Sequence, residues 1–242
     1  MIQPQHIRYG SLDCIVVDGG DSPSVAVVVC HGYGAPGHDL AGLCQPWIEG
    51  LGDDADRFRF IFPAAPGTLA ELGMPDGRAW WPLNMARLME AIEANAFDEL
   101  HAHEPPGIEE ARSQLCETIK LAKKELGGDA TPLALGGFSQ GAMLTMDTAL
   151  RGTIDPPQFL MQFSGTVICE PQWQAAMNRL ANTHVYQAHG TEDPILPFTS
   201  AQRLHALLEE GEVDATFHSF RGPHTIAPES IEHTTEALRE LP

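Results

Sequence analysis

The chain has 242 residues with 33 acidic against 14 basic side chains, a formal charge of −19 with histidine neutral. A surface this acidic excludes an unaided nucleic-acid binder and a protein held on anionic membranes, because both need Lys and Arg to displace counterions. With 43% apolar and 19% charged residues, wholesale disorder is excluded as well, and a chain of this length buries roughly 70–75% of its unfolded surface, enough for a core without staples.

The first residues, MIQPQHIRYGSLD, have neither a basic start nor an apolar core of the kind that targets secretion, and the longest apolar run, Val25–Cys30, is far short of the roughly 20 residues that span a bilayer. Cys14, Cys30, Cys44, Cys116 and Cys169 form an odd set with no CxxC pair, which argues against a disulfide framework or a zinc ribbon. A cytoplasmic protein in a reducing compartment, with no integral membrane segment, is the expectation. Short apolar runs then alternate with longer stretches of helical period. Strands are expected at 14–17, 25–30, 59–62, 133–136, 159–163, 185–188 and 216–220. Between 107 and 127 the apolar residues Ile108, Ala111, Leu115, Ile119, Ala122 and Leu126 mark one helical face, which Gly127-Gly128 terminates. Further helices are expected over 142–150, around Ala201, Leu204, Leu207 and Leu208, and around Ile231, Leu238 and Leu241. This is the pattern of an α/β fold, a mainly parallel central sheet flanked by helices on both faces.

The segment 82–106 interrupts that alternation. Met85, Leu88, Met89, Ile92 and Ala96 make an amphipathic stretch bounded by Pro82 and by Pro105-Pro106, with no strand behind it. It reads as a helical insertion near the site within a single domain spanning 1–242. Two roles stand side by side: a lid or enlarged acyl wall, and a helix packed on the body for stability.

The sharpest local signal is Gly137-Phe138-Ser139-Gln140-Gly141, a GxSxG between an expected strand and an expected helix. In a nucleophile elbow the serine sits on a strained strand-to-helix turn, and the flanking glycines let neighbouring backbone pass. A glycine-rich turn of another doubly wound fold has the same five residues, so the remaining parts must decide. A serine hydroxyl needs a base, and the base needs a carboxylate to fix its tautomer. Asp193 follows the expected strand 185–188 and His224 follows 216–220, so both lie at strand carboxyl ends, where open α/β sheets bind ligands. Glu192 is the rival acid; Pro194 after Asp193 favours an extended conformation there and hence Asp193. After strand 25–30 comes His31-Gly32-Tyr33-Gly34, a loop whose glycines leave amides free to point inward. The backbone N–H groups of Tyr33 and Gln140 are the expected oxyanion donors.

On HGYGAPGHDL (31–40), PAAPG (63–67), RAWW (78–81), GIEEA (107–111), LGGFSQGAM (135–143), FSG (163–165), HGTEDPILP (189–197) and GPHTI (222–226), the chain resembles the carboxylesterase/phospholipase group of α/β-hydrolases, which includes the acyl-protein thioesterases. The pieces occur in family order over nearly the whole chain. The resemblance implies an α/β-hydrolase fold, Ser139, Asp193 and His224 as catalytic triad, and Tyr33 and Gln140 as oxyanion donors, in agreement with the chemistry. It departs where thioesterase-like members read W-F-D and this chain reads Trp80-Trp81-Pro82, and where 82–106 exceeds their short connection.

For substrate binding, Trp80, Trp81, Leu196 and Met85 are the candidates, the Trp80 indole being equally suited to anchoring a core and that of Trp81 less so. His189 is expected to order the Asp193 loop, and Cys30 and Cys169 lie near the site without occupying the elbow. His101-Ala102-His103-Glu104 lacks a third ligand at a recognised spacing and reads as a solvated loop. No metal and no cofactor is expected. The expected function is a serine esterase that hydrolyses small to medium neutral esters through an acyl-enzyme. Its alternatives are a thioesterase or lysophospholipase with the same residues, and a catalytically silent relative that binds a ligand. The partner is a small-molecule ester, not nucleic acid, and the sequence is compatible with a homodimer.

Overall fold

The computed structural model describes residues 3–94 and 96–242, the side chain of Met85 excepted. The chain opens with β1 (Gln5–Tyr9), β2 (Leu12–Asp18) and β3 (Val25–Cys30), followed by helix α1 (Cys44–Leu51) and β4 (Phe58–Pro63). A two-stranded ribbon, β5 (Gly67–Leu69) and β6 (Met74–Ala79), stands apart from the main sheet. Helix α2 (Met85–Glu93) and a 3₁₀ turn at Phe97–Leu100 lead into the long helix α3 (Ile108–Glu125). From there strands and helices alternate: β7 (Leu133–Phe138), α4 (Gln140–Arg151), β8 (Phe159–Phe163), α5 (Glu170–Ala176), β9 (His184–Gly190), α6 (Phe198–Glu210), β10 (Ala215–Phe220) and α7 (Pro228–Arg239).

The eight-stranded sheet runs β1-β2-β4-β3-β7-β8-β9-β10. The β1 and β2 pairings are antiparallel, and every neighbour from β4 through β10 is parallel. The expected mainly parallel sheet with helices on both faces is therefore the observed one. Strand β3 reads as an unbroken apolar run because both its faces are covered. Val25, Val27 and Val29 join Trp47, Phe60 and Leu238 under α1 and α7, while Ala26, Val28 and Cys30 join Leu115, Leu144 and Leu204 under α3, α4 and α6. Helix α3 stops at Gly127 and Gly128, whose φ values of 128° and 102° belong to glycine. No described helix is long and apolar enough to cross a membrane.

Segment 82–106 is folded in two unlike halves. Helix α2 is capped by Asn84, whose side chain accepts from the Arg87 amide at 3.0 Å, and only Leu88 and Ile92 of its described apolar side chains pack toward the core. The second half is tied down. Phe97 and His101 are buried, and His101 Nε2 lies 2.9 Å from Ser200 Oγ on α6. The carbonyls of His101 and His103 accept from the amides of Glu170 and Cys169 at 3.0 and 3.1 Å, and Glu104 pairs with Arg151 at 2.6 Å. The solvated loop expected at 101–104 is thus corrected for His101: its ring is a docking element, placed inside by Phe97 and Ser200.

Candidate active site

Because β3, β7, β9 and β10 are parallel, their carboxyl ends deliver four loops to one edge of the sheet. Ser139 follows β7 directly, at φ 55° and ψ −117°. A non-glycine residue in that region is strained, and the surroundings hold it there: its amide donates to Phe163 O at 2.9 Å, and the Met143 amide donates to its carbonyl at 3.2 Å. The two glycines of the motif are steric requirements. A Cβ on Gly137 would run into the backbone of Gly141, and one on Gly141 would run into the Cys30 carbonyl. The elbow can therefore pack flush against β3.

The loops after β9 and β10 are bound to each other before their side chains are considered. Thr191 N–H donates to Phe220 O at 2.8 Å and Glu192 N–H to Gly222 O at 3.0 Å. Asp193, its side chain wholly buried, receives four donors. Oδ1 accepts from the amides of Ile195 and Leu196 at 2.8 and 2.9 Å, and Oδ2 accepts from His224 Nδ1 at 2.6 Å. The fourth is His189 Nε2, 3.3 Å from Oδ2 and 2.9 Å from Leu196 O; both neighbours are acceptors, so this nitrogen carries a proton. Burial alone would push the Asp193 carboxyl up, but the bonds from His189, His224 and the Leu196 amide hold it well below the usual carboxylate range. An ionised Asp193 in turn requires the proton of His224 on Nδ1, which leaves Nε2 free to accept. Glu192 is exposed and pairs instead with Arg221 at 2.8 Å.

Ser139 and His224 line one cavity of about 930 Å³ together with Tyr33 and Gln140. The ring of Phe138, the residue before the serine, lies 4.7 Å from the His224 imidazole. Among the described residues the Tyr33 amide has no backbone acceptor, whereas those of Gly34 and Ala35 donate to Arg78 O and Gly32 O at 2.9 and 3.4 Å. Gln140 opens helix α4, so its amide is one of the N-terminal donors without an intrahelical partner. Tyr33 and Gln140 thus line the cavity with Ser139, and neither amide is engaged by a described backbone acceptor.

The cavity wall is mainly apolar, and segment 82–106 supplies much of it through Leu83, Leu88, Phe97 and Leu100, opposite Val167, Ile168 and Ile195. Trp81 and Leu196, both candidates for substrate contact, are among the lining residues. Trp80 is not: only 3% exposed, it lies behind the wall against His31, ring centroids 5.5 Å apart. Its indole N–H donates to His31 O at 2.9 Å, so it is a core anchor. Met85 begins α2, and its side chain lies outside the described residues. Cys30 and Cys169 are fully buried away from the cavity, and burial pushes the Cys30 thiol well up and that of Cys169 to about 12, so neither supplies a thiolate.

Sequence reasoning assigned Gln140 through its backbone alone. Its side chain is also engaged: Oε1 accepts from the Trp80 amide and Nε2 donates to Trp81 O, both at 2.9 Å. His31 was likewise passed over. It is buried and neutral, Nδ1 donating to Gly32 O at 2.8 Å and Nε2 accepting from the Ala65 amide at 3.1 Å, and burial holds its pKa below the usual value. A glutamine in a motif that needs only glycine and serine was the available signal.

A family model described as phospholipase/carboxylesterase matches residues 12–241. Acyl-protein thioesterase 1 of Gibberella zeae is 24% identical over 236 residues, 96% of each chain. That of Debaryomyces hansenii is 31% identical over 218 residues, 85% of this chain and 86% of its own. Among solved structures, esterase PE8 matches with a TM-score of 0.74 at 27% identity over 99% of this chain and 98% of its own. A carboxylesterase from Mesorhizobium loti reaches a TM-score of 0.74 at 13% identity, over 98% and 99% of the two chains, a likeness of fold. With residues 12–241 matched and the fold shared, the chain belongs to the phospholipase/carboxylesterase family of α/β-hydrolases and is a hydrolase.

Proposed function

We propose that the enzyme is a serine carboxylic-ester hydrolase acting on neutral esters with an apolar acyl chain. Ser139 attacks the ester carbonyl while His224 Nε2 takes its proton, Asp193 holds the imidazole and stabilises its charged form, and the amides of Tyr33 and Gln140 receive the oxyanion. His224 returns the proton to the leaving alcohol, and water then releases the acid from the acyl-enzyme by the same steps. The observation that carries this reading is the 2.6 Å bond from His224 Nδ1 to buried Asp193, with His224 and Ser139 lining the same cavity. A cavity of about 930 Å³ is near the upper end of small-molecule sites. Its apolar wall suits the acyl chain, with the segment 82–106 serving as that wall. The charge of −19 disfavours encounter with anionic substrates.

The test is turnover of p-nitrophenyl butyrate with labelling by a fluorophosphonate. Both are expected to disappear in Ser139→Ala and to persist in Cys30→Ala; turnover that survives in Ser139→Ala refutes the assignment. A second reading, thioester hydrolysis, is favoured by relatives named acyl-protein thioesterase 1 at 24% and 31% identity. Matched S-acyl and O-acyl substrates of equal chain length separate the two.

A further inference from the structure

We propose that the side chain of Gln140, acting through Trp80 and His31, is a positioning device that holds the two oxyanion donors at a fixed spacing. The inference rests on the reading above.

The two donors come from parts of the chain more than a hundred residues apart, the loop after β3 and the first turn of α4. An oxyanion hole works only if its amides are in place before charge develops, and small displacements weaken it steeply. Strands β3 and β7 pair directly up to Cys30 and Gly137, and beyond that last pair the two pieces of backbone are joined by a line of hydrogen bonds. The Gln140 carboxamide grips the main chain of Trp80 and Trp81 from both sides, 2.9 Å at each contact. The Trp80 indole N–H reaches across to His31 O at 2.9 Å. The His31 ring closes back on Gly32 O at 2.8 Å and receives the Ala65 amide at 3.1 Å. Gly32 immediately precedes Tyr33, and Gln140 is itself the second donor. Every member is buried: Gln140 is 1%, Trp80 3% and His31 1% exposed. In surroundings of low dielectric such a line keeps its geometry, since a partner lost has no water to replace it.

The elbow does not by itself require this residue. Its steric demands fall on Gly137 and Gly141, and a first helical position accepts many side chains. A glutamine facing inward, both amide atoms engaged, is explained by the strand exit that it holds. That exit ends at Trp81, a cavity-lining residue, and Pro82 beyond it begins the segment that walls the cavity. The Gln140 side chain makes no contact with the substrate in this scheme; its effect passes through the backbone amides of residues 33 and 140.

The experiment uses the full chain and three variants, Gln140→Leu, Trp80→Phe and the pair combined, with p-nitrophenyl butyrate as substrate and an alkyl trifluoromethyl ketone as the oxyanion-forming inhibitor. In Gln140→Leu, kcat is expected to fall about 10- to 100-fold, toward the loss of one oxyanion donor. KM should stay within about twofold, with inhibitor affinity falling in step with kcat, the signature of an interaction made in the transition state alone. Trp80→Phe keeps both Gln140 contacts, which are to main chain, and removes only the indole N–H. It should lower kcat about 3- to 10-fold, and the double variant should lose less than the product of the two. An unchanged kcat in a folded Gln140→Leu, or kcat and KM worsening together without loss of inhibitor affinity, overturns the inference. If Gln140→Leu does not fold, Trp80→Phe decides: full kcat and full inhibitor affinity in that variant overturn it. Turnover that survives Ser139→Ala removes the underlying reading and this inference with it, whereas intact dependence on Ser139 with an indifferent Gln140→Leu removes this inference alone.

Discussion

The two sides of the cavity are built on opposite principles. On the side of Ser139, Asp193 and His224, position is set by backbone: a strained turn locked by Phe163 O and Met143 N, and two loops cross-bonded before their side chains meet. On the side of 82–106, position is set by apolar packing of Leu88, Ile92 and Phe97 and by a few tethers to α5 and α6. The first side tolerates little change because the Asp193 carboxylate, the His224 Nδ1 and the Ser139 backbone each have definite partners. The second resembles a wall that can be reshaped without disturbing the chemistry. On the function proposed above, reaction type and substrate preference would be carried by separable parts of the chain, and substitutions on the two sides should then differ in kind as well as in size.

The largest effect is expected at Asp193. Asp193→Asn keeps the shape but allows the amide to donate, which reverses the His224 tautomer and places the proton where Nε2 must accept. A fall in kcat of about 10³- to 10⁴-fold is expected, with KM little changed and fluorophosphonate labelling slowed in parallel. A loss under tenfold would break the comparison at its rigid side, because the acid would then be a structural feature of the loop.

Much of that rigid side was legible in the sequence, because the chemistry demands particular residues and the fold demands their order. Ser139, Asp193 and His224 stand out at strand ends, and all seven expected strands occur, extended by a residue or two in several cases. What escaped notice has a common cause, the absence of a periodic apolar signal. Strand β1 (QHIRY) is an edge with most of its side chains outside, and β6 (MPDGRA) contains Pro75 and Gly77 in a two-stranded ribbon. Helix α1 (CQPWIEGL) carries Pro46 and Gly50, yet Trp47 is fully buried with its indole N–H on Thr234 Oγ1 at 2.9 Å. Trp80 shows the remaining ambiguity: wall and anchor require the same residue, and only its bond to His31 O separates them. Likewise nothing in the composition of 101–104 marks His101 as internal, since its burial depends on Ser200, remote in sequence.

A middle-sized effect tests the apolar side. Leu88 lines the cavity from a helix that is otherwise largely exposed, so a larger side chain can enter without deforming the core. Leu88→Trp is expected to lower kcat/KM about 10-fold for p-nitrophenyl octanoate or decanoate and to leave acetate and butyrate within about twofold, the usual scale for one or two methylenes excluded from an apolar pocket. A uniform change across chain lengths, or none, would mean that 82–106 packs for stability and forms no acyl wall.

The smallest effect concerns what tethers that wall. Burial lowers the pKa of His101, with Asp98 and Glu170 pulling it up at 3.8 and 4.0 Å and Arg203 adding to the decrease. A histidine whose folded pKa lies below its unfolded value of about 6.5 binds more protons unfolded than folded. Its contribution is therefore complete above that value and is lost as pH falls through it toward the folded pKa. Acidification from about pH 7.5 to 5.5 should thus lower Tm more in the parent than in His101→Gln, which keeps a donor for Ser200 and does not titrate. A gap of about 1–3 °C is the scale for a fraction of a kcal/mol in a chain of this size. Proteolytic cleavage within 85–106 should accelerate over the same range in the parent alone, because what weakens is the bond that holds this segment to α6. Identical pH curves for the two proteins would show that the carbonyl contacts of His101 and His103, with the Glu104–Arg151 pair, hold the segment without help from the ring, and the contrast between the two sides would then rest on packing alone.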